Sequence, residues 1–373
     1  MDSPDRGQRP AARGFAAVAA AILGLLFAFT PLADRADLAI LDAQWNVLRR
    51  FDLRPAPDDI VVVGIDEGTL QQVPEPRGLW HEPLGKVLAR IAAARPRAIG
   101  LDLALPDRSY ESTRPGIDRA LLLGLAAARQ NGPFVATLSI DAQSRGARPI
   151  HPPYLAVLQE ERLAIGLLAR DADGVTRRFS LSLPTEDGFF PTFAGRLCKM
   201  LSRNCGDGLL HYALGKPFGY VPFHKVLAAS DMASLERIFR DRIVLIGETL
   251  PFTDRIAVPV DYAGWETPGR EAPAIVVHAL ALRTALLDAA PQESSRPLMV
   301  VLVTFAALFF LIREWRVALA AAVAAGFALF AISVYALHAG LAMSLAAPLA
   351  VLAAVVLVAL ATPLSHRYVI RRR

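Results

Sequence analysis

The sequence predicts an α/β fold, a mainly parallel-sheet domain with an inserted hairpin, plus four transmembrane α-helices. Three observations lead there. Short β-branched runs alternate with helical periodicity in the middle of the chain, charge-free stretches stand at both ends, and basic residues flank those stretches. Composition agrees. Of 373 residues, 54% are apolar and 20% charged, with a mean hydropathy of +0.36. That is too apolar for an ordinary soluble domain and far from a disordered chain. Two cysteines exclude a disulfide-framework miniprotein and a multi-cysteine metal array.

Residues 1–13 form a short N-terminal segment, and residues 14–32 a 19-residue charge-free stretch long enough to cross a bilayer as a helix. A secretory signal shares the basic flank and apolar core. Thr30-Pro31-Leu32-Ala33 is a poor cleavage pattern, however, and the length favours an uncleaved anchor. Three further spans are expected at 297–312, 317–337 and 341–364, the first short at 16 residues. Small residues recur four apart at Ala20/Gly24/Ala28, Ala318/Ala322/Gly326 and Ala346/Ala350/Ala354. This spacing lets helices approach closely in lipid and is compatible with a homodimer. Pro348 is expected to kink the last span or free a carbonyl.

Charge assigns the sides. Arg6, Arg9 and Arg13 against Asp2 and Asp5 give +1, the loop 313–316 gives +1, and the tail 365–373, with Arg367 and Arg371 to Arg373, gives +4. Those segments exceed the formal charge of the whole chain, +5, and leave the remainder at −1. Four spans put all three basic segments on one side, which the positive-inside rule makes cytoplasmic. The 264-residue region 33–296 falls outside, and nucleic-acid binding loses its support because the basic character is a topology signal.

In that region, Leu38, Leu41, Trp45 and Leu48 space a helix over 34–54, ended by Pro55 and Pro57. Residues 60–65, IVVVGI, read as a strand buried on both faces. A helix over 82–94 and a strand over 98–103 complete a βαβ crossover. A helix over 121–130 and a strand over 134–140 follow. Residues 164–169 and 176–183 read as a strand pair around Asp171-Ala172-Asp173-Gly174. Helix 193–201, strand 242–247 and helix 275–287 close the region.

At these residues the chain resembles the CHASE2 extracytoplasmic sensor domain of bacterial receptors over about 33–296. The carrying pieces are Leu41-Asp42 through Arg54 into Asp59-Ile60-Val61-Val62-Val63-Gly64-Ile65-Asp66-Glu67, and Arg95-Pro96-Arg97-Ala98-Ile99-Gly100-Leu101-Asp102-Leu103. Further pieces are Asp171-Ala172-Asp173-Gly174-Val175-Thr176-Arg177-Arg178, Phe239-Arg240-Asp241-Arg242-Ile243-Val244-Leu245-Ile246-Gly247 and Val277-His278-Ala279. The resemblance implies a periplasmic sensing module in the bacterial inner membrane that detects an unidentified extracytoplasmic ligand. Family members usually feed a cyclase, a histidine or protein kinase, or a diguanylate cyclase. Only about nine residues follow the last span, so the signal is expected to pass to a separate cyclase or kinase partner. The alternative is a structural or assembly subunit of an envelope complex.

Three parallel strands end in acids: Asp66 with Glu67, Asp102 with Asp107, and Glu248 with Asp254. In open α/β sheets ligands bind outside the carboxyl ends of strands, so these residues are candidates for a polar or cationic ligand. They suit better still as caps of the following helices or as pairs with Arg77, Arg108 and Arg255. Catalysis is not expected, nor is a cofactor. Gly78-Leu79-Trp80-His81-Glu82-Pro83-Leu84-Gly85-Lys86-Val87 lacks the spacing and Ser/Thr of a phosphate loop, and no dinucleotide or zinc-protease signature occurs. The seven histidines do not cluster as metal ligands, and His278 reads as a packed histidine. Cys198 and Cys205 can bridge in an oxidising compartment only if the helix between them ends near Ser202.

Overall fold

The computed structural model describes residues 5–51, 53–140, 146–185, 188–267 and 269–371, with side chains described from residue 11 to residue 362 within those ranges. The basic flanks at Asp2, Asp5, Arg6, Arg9, Arg367 and Arg371 to Arg373 lie outside the described side chains. The chain divides into two compact units, Leu53–Ala290 and a helical unit of Met1–Asp52 with Pro291–Arg373.

The first unit is built on six strands: β1 (Ile60–Ile65), β2 (Ala98–Leu101), β3 (Phe134–Leu138), β4 (Leu163–Ile165), β5 (Tyr220–Pro222) and β6 (Ile243–Glu248). They form one parallel sheet in the order β4-β3-β2-β6-β1-β5. β6 pairs with β1 along its whole length, from Ile60 opposite Ile243 to Ile65 opposite Glu248, and with β2 from Ala98 to Leu101. The β-branched composition follows from this placement. Ile243 to Ile246 are fully buried because helices cover both faces.

On one face, helices His81–Ala93 and Ile117–Gln130 press Val87, Leu88, Ile91, Leu121 and Leu125 into a core with Val63, Leu101 and Phe134. Each such side chain stabilises the fold by about 1.5–3 kcal/mol. Gly85 and Gly124 sit where the two helices cross, and a Cβ on either would strike the other's backbone. The opposite face carries Phe193–Met200 and Ala274–Leu286. Every residue from Ala274 to Ala285 is buried, so this helix is a core element of the sheet unit.

The inserted hairpin lies elsewhere than the sequence pattern suggested. Leu163–Ile165 is the parallel edge strand beside β3, with Ala136 opposite Leu163, and Arg178–Phe179 pairs antiparallel with Gly208–Leu209. The hairpin is Ser182–Thr185 with Gly188–Pro191. The turn at Asp171 forms, with the Gly174 amide donating to the Asp171 carbonyl at 2.9 Å. Its job is different: Asp171 and Asp173 accept from Arg177, whose side chain is 2% exposed, at 3.0 and 2.8 Å.

The helical unit corrects the expected spans in three places. Residues 14–32 are not one rod, because Asp5–Phe27 ends and Pro31–Phe51 begins a new helix, bent by 83° from the first. Thr30 makes the break: its hydroxyl donates to Phe27 O at 2.7 Å and accepts from the Ala33 amide, and Pro31 takes the first helical position. The second apolar helix, Arg296–Leu308, tightens into a short turn and stops at Ile312. Residues 341–345 are extended, with Leu341–Ala342 pairing parallel to Gln292–Glu293, and the last helix starts at Ala346. Pro348 therefore falls in its first turn, where proline is tolerated without a kink. The amides of Leu345 and Ala346 both donate to Asp37 Oδ1 at 2.7 Å, an N-cap supplied by another helix.

As a result, among the described residues Trp315–His338 is the one helix clearly long and apolar enough to cross a membrane, or there are two with the bent pair counted as a span. Arg296–Leu311 and Ala346–Thr362 are shorter apolar helices. Their common core holds Val303, Ala306, Ala318, Ala322, Val351 and Val355, with Ala20 and Ala28 against it. Two of the small-residue stripes thus pack inward, whereas Ala350 of the third is exposed and Ala347, Val351 and Val355 do that work. Gln44 Nε2 donates to Ser333 Oγ at 2.8 Å, both side chains buried.

Candidate functional site

The order of the sheet fixes where a crevice can form. From the central pair β1 and β6 the chain builds β2, β3 and β4 on one side and β5 on the other. Where neighbouring connections diverge, the carboxyl ends of the strands are left uncovered. A cavity of about 520 Å³ opens there, walled by Ile65 at the end of β1, Glu248 at the end of β6, Thr137 near the end of β3 and Ser139 after it, and the loop following β2. Its size is that of a small-molecule site.

Apolar walls come from Trp80, Leu84, Leu103, Leu105 and Ile150. Trp80 stacks on Phe223 at 5.9 Å and donates from Nε1 to Glu75 O at 2.7 Å, which fixes its ring. The charged lining is Arg77, Arg108 and Arg148 with Asp107 and Glu248, a formal +1. Arg77 and the Thr253 hydroxyl both bond Glu248, whose side chain is 13% exposed. Arg108 holds Asp107 through two bonds of 2.9 and 3.1 Å, which lowers the Asp107 pKa.

The loop after β2 is tied down from below. Asp118 at the start of helix Ile117–Gln130 accepts from Ser109 Oγ, from the Tyr110 amide at 3.3 Å and from Tyr154 OH at 2.8 Å. Burial alone would raise its pKa, but these bonds and His81 nearby hold it low, so the carboxylate anchors the loop in its charged form. Tyr110 is thereby placed against the cavity.

Beneath the edge lies a second group. Asp102 directly follows β2 and its side chain is 9% exposed. Burial pushes its pKa up to about 7 and Glu248 adds to the rise, while a hydrogen bond with Thr137 opposes it. Its Oδ2 is 3.7 Å from Nε2 of His278, and that nitrogen lies 3.0 Å from Gly166 O. A carbonyl only accepts, so Nε2 carries the proton. Burial pushes the His278 pKa down to about 4. Asp254 is exposed overall, yet desolvation of its carboxylate and the nearby Asp102 raise its pKa to about 6.

The sequence candidates therefore separate. Glu248 and Asp107 share the cavity, and Asp102 and Asp254 sit with His278. Asp66 caps helix Glu67–Gln72, accepting from Thr69 N at 2.8 Å and Thr69 Oγ1 at 2.7 Å. Burial raises its pKa, but the Thr69 bonds, His224 at 3.4 Å and Tyr220 lower it further. Glu67 is exposed in the first turn of that helix. Of the anticipated arginine pairs, Arg77 and Arg108 take Glu248 and Asp107, whereas Arg255 binds Glu266. Trp80, Tyr110, Thr137 and Arg148 were not read from the sequence as site residues. The only signal for Trp80 was an aromatic in a loop just before a helix.

Cys198 and Cys205 are bridged, with Cα atoms 6.3 Å apart. Helix Phe193–Met200 stops before Ser202, which takes a positive φ of 54° and turns the chain back. Among the described residues no group of three or more His, Cys, Asp or Glu is arranged to hold a metal.

No curated protein and no solved structure matches the chain. A family model described as the CHASE2 domain matches residues 17–321 and so covers the whole parallel-sheet unit with the cavity at its carboxyl edge. The chain belongs to the CHASE2 family of extracytoplasmic sensor domains.

Proposed function

We propose that this chain is a membrane-anchored receptor subunit, not an enzyme, that detects a small polar molecule of the cell envelope at the carboxyl edge of its sheet. It passes the signal to a separate cyclase or kinase. The observation that carries the reading is the cavity of about 520 Å³, whose charged groups are held by Arg77–Glu248 and Arg108–Asp107 pairs against a fixed indole. Such a site recognises a ligand that can exchange with an ion pair. A ligand shifts the receptor only by its differential affinity for two arrangements, and breaking the exposed Arg77 contact is a small enough cost to allow that.

The chain crosses the bacterial inner membrane four times, with residues 1–13, the 313–316 loop and the tail inside. The charge distribution supports this, since the basic excess belongs to those segments. The 373 residues contain no nucleotide-binding or nucleophile motif, which supports a non-catalytic role.

The test is a thermal-shift survey of the purified full chain with envelope metabolites of acidic, neutral and basic character. A saturable shift that weakens in Glu248→Gln and Arg77→Gln is expected. No saturable shift with any class overturns the reading. Reporter fusions near residue 150 and in the 313–316 loop test the topology, and activity of the first in the cytosol refutes it.

A further inference from the structure

A second cavity of about 760 Å³ occupies the opposite, amino-terminal edge of the same unit, among the starts of β1, β5 and β6. Its charged residues are Arg54, Lys216, Arg242 and Arg283 against Asp58, four cations to one acid. Among the described residues none of these four cations has a carboxylate within ion-pair distance. This contrasts with the carboxyl edge, where Arg77 and Arg108 are both paired with carboxylates.

Arg283 is the centre of the arrangement. It is 5% exposed, its NH1 donates to the carbonyls of Leu214 at 3.2 Å and Lys216 at 3.1 Å, and its guanidinium lies 3.7 Å from the Phe218 ring centroid. Among the described residues its Nε has no hydrogen-bond partner. Gly215, at φ +70°, wraps the loop so closely that a Cβ there would lie 2.8 Å from the guanidinium. Burying a cation is costly, and Asp58 and Asp59 acting from beyond ion-pair distance, the Tyr262 hydroxyl, the carbonyl dipoles and the ring face offset only part of that cost. The site is built around a charge, and its lining carries four cations to one acid.

We propose that this cavity binds the phosphate of an anionic phospholipid headgroup. Chain connectivity selects the lipid over a free anion. The cavity begins at Leu53, the first residue of the sheet unit, two positions after helix Pro31–Phe51 ends, and Arg283 stands seven residues before Ala290, the last. The cavity lining thus lies close in sequence to both points where the chain passes between the sheet unit and the apolar helices, and headgroup phosphate is the anion at the surface of a membrane that such helices would enter. Ile60, Phe218 and Ile238 supply an apolar floor for the glycerol end of the lipid. The proposal rests on membrane anchoring and is independent of any ligand at the carboxyl edge.

The test is melting of the full chain in neutral detergent, titrated with phosphatidylglycerol, phosphatidylcholine or soluble glycerol phosphate. Phosphatidylglycerol is expected to stabilise saturably and phosphatidylcholine more weakly, because its choline cation neutralises the same phosphate, with glycerol phosphate at least about tenfold weaker than phosphatidylglycerol because it lacks the interfacial anchor. The double variant Arg54→Gln/Arg242→Gln leaves the buried Arg283 in place and should melt at the wild-type temperature without lipid. It should bind phosphatidylglycerol about 30-fold more weakly, as expected for two basic residues at a membrane surface. Equal stabilisation of variant and wild type overturns the proposal, as does no saturable effect of phosphatidylglycerol. Glycerol phosphate binding as tightly as the lipid overturns the lipid assignment in favour of a soluble phosphate ester. A chain that is soluble without detergent refutes the anchoring separately.

Discussion

Replacing Asp102 with Asn removes a carboxyl group that its surroundings keep protonated up to about pH 7. The unfolded chain releases the same proton near pH 3.8. Between those values the folded protein binds more protons than the unfolded one, so stability falls as pH rises. Roughly three pH units correspond to about 4 kcal/mol lost by pH 7. Asparagine keeps the shape and loses the titration. For a unit the size of Leu53–Ala290, about 2–4 °C of melting temperature accompanies each kcal/mol. The melting temperature of Asp102→Asn should therefore climb relative to wild type by about 10 °C between pH 4 and pH 7. His278 acts in the opposite sense. Its pKa falls from 6.5 to about 4 on folding, so its contribution grows as pH rises through that window, and His278→Gln should forfeit about 3 kcal/mol of that gain. Scanning fluorimetry of the full chain in neutral detergent across pH 4 to 7.5 reads both. A difference between Asp102→Asn and wild type that is the same at pH 4 and pH 7 refutes the reasoning.

Three other outcomes are expected. Trp80→Ala empties the cavity wall and the stack on Phe223, and should lower stability by about 3–5 kcal/mol, read as a drop in melting temperature. Cys198→Ser/Cys205→Ser opens a short loop and should cost about 2–3 kcal/mol; adding reductant to wild type should reproduce that shift, and to the variant cause none. Asp171→Ala strips a carboxylate from the buried Arg177 and should destabilise by about 3 kcal/mol, whereas Arg177→Met in the same background should recover part of the loss.

What the sequence disclosed depended on how far each element announces itself locally. β1, β2, β3 and β6 were legible because strands buried on both faces must be continuous apolar runs, and Ile60–Ile65 and Ile243–Glu248 are. β5 was not, since Tyr220–Pro222 has three residues and its edge position tolerates a proline. The misassigned hairpin had the same origin: Leu163–Ile165 is a three-residue strand whose partner Phe134–Leu138 lies far back in the chain, while the nearby Gly174 turn is explained by Arg177 instead. Apolar stretches were easy to find, but their breaks were not. Thr30 and Asp37 decide where helices stop and start through hydrogen bonds, and hydropathy does not register those. At the site, the carboxylates after the strands were visible from position alone. The cap at Asp66 is local, made with Thr69 three residues on, whereas the wall at Glu248 and the buried pair at Asp102 and His278 depend on contacts between residues more than 150 apart.

The place of β6 has a consequence for biogenesis. The strand that completes the middle of the sheet is the last of the six to be made, and both of its neighbours come from the first 101 residues. Until residue 248 has emerged, β1 and β2 face each other across a gap with two unsatisfied backbone edges exposed, a template for wrong pairing. A polypeptide arrested or truncated before that point should be prone to aggregate and should depend on holding chaperones. Locking of the sheet therefore waits for its last strand and is not a gradual accretion of finished halves.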